Sequence, residues 1–268
     1  MYADVHCHLN HPLLKQRLDE VLRNARDAGV GLIVTAGVNP ASNDEVLAMA
    51  RQHPGIVTCS LGMYPLDALG LDVESDAVGM TRQLQPMDVD AELVRIEGLA
   101  DSCVAIGEVG MDFKFTKDAP SIAKQKEIFT KILDLAERVK KPVVVHSRSA
   151  EQECIELLET ATLPGIVMHC FGGRKSLIRR AADNGWSFSV PPVIARLQHF
   201  QTLVGLVPLG QLLTETDAPW LGPVAGQTNE PMNVRVSVDE IAKALRADPQ
   251  HVKDMIWKNA RAMFGGAS

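Results

Sequence analysis

The chain has 268 residues, 46% hydrophobic and 22% charged, with 27 basic against 33 acidic side chains for a formal net charge of −6. This composition belongs to a folded globular protein and excludes disordered, collagenous and coiled-coil chains. The acidic balance also argues against a strongly basic protein that wraps or slides along nucleic acid.

The chain opens on an apolar run, Ala3–Cys7, with no charged n-region and apolar h-region ahead of it, so no signal peptide is expected. Similar runs follow at Gly31–Gly37, Ile56–Gly62, Cys103–Val109, Pro142–His146, Gly165–Cys170, Trp186–Val190 and Gln211–Asp217. Near-continuous apolarity at strand length is the pattern of parallel strands covered on both faces. Between the runs lie helical stripes. Leu14, Leu18, Val21, Leu22 and Ala25 trace one that Gly29 ends, and Ile128, Phe129, Ile132, Leu133, Ala136 and Val139 a second, closed by Pro142. Ile155, Leu157 and Leu158 belong to a third, and Leu177, Ile178 and Ala181 to a fourth. Ser237-Val238-Asp239-Glu240 reads as a capping box, and Asp248-Pro249 as the N-cap and first position of the last helix.

Strands alternating with helices predict an α/β fold, a (β/α)8 TIM barrel, as one domain over residues 1–268. An open doubly wound sheet shares this alternation, but no GxGxxG follows the first strand. Met63 to Asp101 is too long for an ordinary connection and predicts a helix plus an insertion after the third strand. That stretch carries nine acidic residues against two arginines, so the insertion is acidic and the rest of the chain is close to neutral. The cysteines, at 7, 59, 103, 154 and 170, form an odd set without a CxxC pair. No apolar run approaches the ~20 residues of a spanning helix. A cytoplasmic, reducing setting with free thiols is expected, with no membrane association and no obligate protein partner.

Catalytic groups of a barrel sit at the C-terminal ends of its strands. Those ends carry His6-Cys7-His8, Glu108, His146, His169 and Asp217, so four of the eight histidines close apolar strands. Residues two apart on a strand point the same way. His6 and His8 can therefore meet one metal ion while Cys7 points into the helix-facing core; likewise Cys170 points away from His169. Each residue also has a structural reading. The histidines can be hydrogen-bonded interior groups, Glu108 a salt bridge to a barrel cation, and Asp217 a helix N-cap ahead of Pro219. Jointly, four imidazoles and two carboxylates suit divalent metal ions, and six ligands exceed what one catalytic ion needs. Two ions bridged by Glu108 fit the count, an arrangement suited to attack at phosphorus or at a carbonyl. The remaining histidines carry less: His53, His199 and His251 are expected in solvent, and His11, in the first loop, stays undecided.

With these motifs the sequence resembles the TatD-like metal-dependent deoxyribonuclease family of the amidohydrolase superfamily. The resemblance runs from Asp4-Val5-His6-Cys7-His8-Leu9 through Gly107-Glu108-Val109-Gly110-Met111-Asp112-Phe113, His146-Ser147-Arg148 and His169-Cys170-Phe171-Gly172-Gly173. It continues in Glu215-Thr216-Asp217-Ala218-Pro219-Trp220-Leu221 and Asn229-Glu230-Pro231, and reaches Asn259-Ala260-Arg261-Ala262-Met263-Phe264. It implies that His6, His8, Glu108 and Asp217 hold one divalent ion and Glu108, His146 and His169 a second, with Mg²⁺, Mn²⁺ or Zn²⁺ as the metal. It further implies hydrolysis of DNA or oligonucleotide phosphodiesters from the 3′ end, with Glu108 and Asp217 as catalytic residues and Asp217 as proton acceptor. Arg148 contacts a phosphate or pairs with Glu151; Phe171 and Trp220 stack on a base or pack under loops.

Two departures from the family touch the substrate side. Gly62-Met63-Tyr64-Pro65 places Tyr64 where the family usually has a histidine facing the substrate, and a phenol carries no positive charge near neutral pH. The seventh strand ends Ser189-Val190-Pro191-Pro192-Val193, where a more glycine-containing loop is usual. The other readings are a hydrolase of a small-molecule ester, amide or phosphotriester in the same superfamily, and a barrel that binds metal or a partner without catalysis. Many small-molecule sites of that superfamily bridge their metals with a carboxylated lysine, a role that falls here to Glu108. The complete ligand set argues against the non-catalytic barrel.

Overall fold

A computed structural model describes residues 1–71 and 87–265. Eight parallel strands are hydrogen-bonded in chain order. They are β1 (Tyr2–Cys7), β2 (Val30–Ala36), β3 (Val57–Leu61), β4 (Ala105–Gly110), β5 (Val143–His146), β6 (Ile166–Met168), β7 (Ser187–Val190) and β8 (Leu212–Thr214). Each predicted apolar run holds one strand, and helices lie between them, making a nearly closed (β/α)8 barrel. The helices are α1 (Pro12–Lys15), α2 (Leu18–Asp27), α3 (Pro40–Gln52), α4 (Pro65–Ala68), α5 (Val89–Leu99), α6 (Ala119–Val139), α7 (Glu151–Leu158), α8 (Lys175–Asp183), α9 (Gln198–Val204), α10 (Val234–Leu245) and α11 (Pro249–Phe264).

The core forms two layers. Inside the barrel, Ala3, Val5, Leu32, Val34, Ala105, Val144, Val167 and Leu213 pack together over Ala260 and Phe264 of α11, which plug the N-terminal end. Outside it, Val143, Val145, Ile166 and Met168 meet the helices. The β1–β2 register shifts between Asp4 and Cys7, so Val5 lies inside the barrel whereas Cys7 packs outward against Val21, Leu22 and Ala25 of α2. All five cysteines are free thiols. Among the described residues no helix is long and apolar enough to cross a membrane.

No strand ladder joins β8 to β1. The seam is closed by side chains and loops. Thr214 Oγ1 donates to the Ala3 carbonyl at 2.6 Å, and the Asp4 carboxylate accepts from Thr216 N at 2.9 Å and from the Thr216 hydroxyl. The Asp217 amide donates to the His6 carbonyl at 2.9 Å, and the His8 amide to that of Ala218 at the same distance.

Several local expectations change. The stripe ended by Gly29 is two helices, α1 and α2, broken at Gln16 and Arg17; Gly29 itself has φ 83°. Ser237 is no cap: α10 starts at Val234, whose side chain packs with Ala218 and the α2 cluster, and Ser237 is buried inside the helix. Asp248 does cap α11, accepting from the His251 amide at 2.8 Å. After β3 the chain forms α4 and, from Val89, α5. The part of the acidic insertion with Asp72, Glu74, Asp76 and Arg82 lies outside the described residues.

Candidate metal centre

The six side chains singled out by strand-end position converge at the C-terminal mouth. His6 stands near the end of β1, with His8 just beyond it; Glu108 stands in β4, and His146 ends β5. His169 follows β6, and Asp217 lies past β8 with φ 51°, a left-handed backbone that a short polar residue tolerates. The β4–β5 register is irregular between Ile106 and Val109. Glycine is required beside Glu108 because β4 and β5 approach closely: a Cβ at Gly107 would lie 2.7 Å from the Val144 Cβ, and one at Gly110 2.0 Å from the His146 carbonyl oxygen. These glycines thus make room for a neighbouring strand.

His6 Nε2 lies 3.5 Å from Glu108 Oε2 and 3.7 Å from Asp217 Oδ1; His8 Nε2 lies 3.6 Å and 3.3 Å from the same two atoms. Most of these separations are too long for hydrogen bonds. They match the edges of a tetrahedron of donors around one ion, about 3.4 Å for metal–nitrogen bonds of about 2.1 Å. Both ring nitrogens of His6 are buried without a hydrogen-bond partner, a costly state that a bound cation relieves. A second cluster brings Glu108, His146 and His169 together, and His169 also stands with His6 and Asp217. Glu108 belongs to both sides, with Oε2 toward His6 and His8 and Oε1 2.9 Å from His146 Nδ1. The donor set therefore fits divalent-cation binding, with Glu108 shared by the groups on both sides. Among the described residues Glu108 pairs only with histidines, and no helix starts at Asp217.

Each histidine of the second cluster is held through its other nitrogen. Asp112 Oδ2 lies 3.0 Å from His146 Nε2, and Glu215 Oε2 lies 2.6 Å from His169 Nδ1. Glu215 in turn accepts from the Ser189 hydroxyl at 2.6 Å and the Cys170 amide at 2.9 Å. Such carboxylates fix the tautomer and aim of a ligating imidazole. Sequence reading gave neither residue a role, although Asp112 is two residues past Gly110 and Glu215 two before Asp217.

The electrostatics are those of a cation site. Burial pushes the Glu108 carboxyl up, but His146 and His6 outweigh it and hold it well below the usual carboxylate range. Asp217 behaves likewise, with His8 and His169 offsetting burial. Burial and mutual proximity lower His6, and burial lowers His169, so both are neutral donors. His146 differs: burial pulls it down, yet Asp112 and Glu108 raise it to about 9. Burial pushes Asp4 and Glu215 up to about 8.

The substrate-side residues divide. Arg148 pairs with neither Glu151 nor solvent alone: its Nε and an Nη meet Asp112 Oδ2 at 2.8 Å and 2.5 Å, and that Nη also donates to the Tyr64 hydroxyl at 2.8 Å. Tyr64 is buried, donates to Asp112 at 2.8 Å and stands edge-on to His146, with ring centroids 4.9 Å apart. Trp220 is half-buried beside His8 and His11, 5.4 Å and 5.2 Å away. Phe171 is fully buried against Phe188 and presents no face to a base, because the chain turns it inward beneath Gly173. His11 caps α1, accepting from Leu13 N at 3.2 Å. His199 is not solvated but hydrogen-bonded to the Phe171 carbonyl at 2.8 Å.

A profile of the family described as TatD related DNase matches residues 3–265. The human protein Deoxyribonuclease TATDN3 is 34% identical, over 98% of this chain and 94% of its own length. The 3′-5′ ssDNA/RNA exonuclease TatD of Erwinia amylovora is 30% identical, over 98% of this chain and 99% of that one. The crystal structure of YJJV, a TatD homologue from Escherichia coli k12, superposes with a TM-score of 0.82 at 25% identity, covering 98% of each chain.

Proposed function

The chain belongs to the TatD related DNase family, and on that premise we propose that it is a divalent-metal-dependent deoxyribonuclease that removes nucleotides from the 3′ end with two ions held across Glu108. The observation that carries this reading is the position of Glu108, one oxygen turned to His6 and His8 and the other to His146. In it, His6, His8, Glu108 and Asp217 hold one ion, and Glu108, His146 and His169 the other. Bound there, Mg²⁺, Mn²⁺ or Zn²⁺ would lower the pKa of a water and steady the charge on the phosphate. The protein does the rest. Asp217, held ionised, accepts the proton of the attacking water at a carboxylate oxygen. Asp112 and Glu215 keep His146 and His169 aimed inward. Arg148, fixed by Asp112 and Tyr64 and one-third exposed, offers its remaining guanidinium donors to the phosphate of the cleaved bond. Trp220 borders the terminal nucleotide. Free thiols suit a reducing, cytoplasmic setting.

The test incubates metal-stripped protein with a 3′-labelled single-stranded oligonucleotide and Mg²⁺, Mn²⁺ or Zn²⁺ in turn, beside Glu108→Ala, Asp217→Asn and a panel of carboxylic esters, amides and phosphotriesters. Loss of 3′ label in the parent, and not in the variants, supports the reading. Turnover of the panel with the oligonucleotide intact would replace it with a small-molecule hydrolase.

A further inference from the structure

Beyond the metal centre, the loops after β4, β5 and β6 form a continuous piece of the barrel mouth, since these strands are neighbours in the sheet. The loops are tied together. The Phe113 amide donates to the Arg148 carbonyl at 3.0 Å, and Glu151 Oε1 sits so close to Gly172 that a Cβ there would lie 3.0 Å away. This rim carries two features that single-stranded nucleic acid needs together, free cations and an aromatic plane. Phe115, half-buried, packs on Val38, Tyr64 and Leu66. The Arg148 guanidinium carbon lies 4.8 Å from its ring centroid and the Lys114 ammonium 5.5 Å. Lys117, Arg174 and Lys175 are exposed, and among the described residues none of them has an ion-pair partner.

Three cations on the flanks of the helices are paired, Lys131 with Asp90, Arg138 with Glu97 and Arg180 with Glu159. Arg23, Arg51 and Arg235 are exposed and unpaired among the described residues but lie on elements other than these three loops. Two acids of the rim are withdrawn from solvent, and the third, Asp118, is exposed beside Lys117 with its carboxylate turned to the start of α6. Asp112 is buried under Arg148, Asp118 caps α6 by accepting from Ser121 N at 2.9 Å, and Glu151 is half-buried against Gly172. Helix α8 begins Lys175-Ser176 with no acid in its first turn, so its positive end adds to Arg174 and Lys175 instead of being neutralised.

We infer that this rim is the track for the strand leading away from the metal centre: backbone phosphates lie against Lys114, Lys117, Arg174 and Lys175, and one base stacks on the Phe115–Arg148 platform. The inference rests on the nuclease reading and adds a substrate footprint of several nucleotides. Sequence reading offered Phe171 and Trp220, each as stacking on a base or packing under a loop; Phe171 lies in the core, and an unremarked phenylalanine, Phe115, stands at the rim.

Two substrates separate the claims, a dinucleotide that reaches only the metal centre and a single-stranded dodecamer that also crosses the rim. For the double variant Arg174→Ser/Lys175→Ser, the dodecamer KM rises about tenfold at moderate salt. Its logarithmic salt dependence flattens by about 1.4, the loss of two phosphate contacts on a single strand. Dinucleotide kinetics stay within about twofold. Phe115→Leu raises the dodecamer KM about tenfold, within the range for one stacked base, and Phe115→Tyr restores it. Unchanged dodecamer KM and salt slope in the double variant, or an equal loss on the dinucleotide, overturn the track while leaving the nuclease reading intact. A parent that cleaves neither substrate overturns both.

Discussion

Asp112 lies between the candidate metal ligands and the side chains proposed to face the substrate. One carboxylate oxygen faces His146 Nε2, the Arg148 guanidinium and the Tyr64 hydroxyl. Asp112→Asn is therefore expected to lower metal affinity about 10–100-fold, the usual cost of losing the carboxylate behind a ligating histidine, as isothermal titration of metal-stripped protein would register. Tyr64→Phe separates the two roles. It removes the hydrogen bonds to Arg148 and to Asp112 but leaves His146 and Arg148 on Asp112, so KM is expected to rise about 2–10-fold with metal affinity falling less than in Asp112→Asn. At this scale the sequence displayed the donors and hid their supports. A histidine closing an apolar strand is conspicuous, since nothing in a core needs it. Which carboxylate takes its second nitrogen depends on the path of the chain just past β4 and just past β8, which spacing does not reveal. Phe171 and Phe115 show the same limit: both follow strand ends, and only the backbone path decides which is turned inward.

Between elements, the decisive place is the β8–β1 seam, because His6 and His8 stand on one side of it and Asp217 on the other. Asp4 holds it through Thr216 and, at 3.3 Å, the His6 amide. Asp4→Ala leaves these buried donors without an acceptor, and a loss of about 2–4 kcal/mol is expected in urea unfolding. Metal affinity should fall with it, and Asp4→Asn, which keeps one acceptor, should recover part of both. Eight apolar runs were enough to place eight strands, because burial on both faces leaves little room for polar residues. The break between α1 and α2 and the true start of α10 were not readable. Apolar periodicity continues across Gln16 and Arg17, and the Ser237 pattern carries no sign that a buried turn of helix precedes it.

For the molecule as a whole, the ionisable groups at the mouth tie stability to metal. His146 is raised from its ordinary 6.5 to about 9, and Asp4 and Glu215 are raised to about 8. Across pH 6.5 to 9 the folded metal-free chain thus holds more protons than the unfolded one, and its stability falls as pH rises. A cation held by His146 and His169 would displace the His146 proton and favour the ionised Glu215 behind His169, so the melting temperature of metal-free protein should drop over that range more steeply than that of loaded protein. The formal charge of −6 excludes a wrapping mode of DNA binding and leaves a hydrolase of short strands untouched, since the cations at the rim and any bound ions act locally. The central claim is that the shared carboxylate of Glu108 organises two ions. Its most direct test titrates metal-stripped protein with Mn²⁺, counting bound ions per chain while following cleavage of a single-stranded oligonucleotide. Two equivalents, with cleavage complete only at the second and abolished in Glu108→Ala, are expected; full cleavage at one equivalent, or in the Glu108 variant, would contradict it.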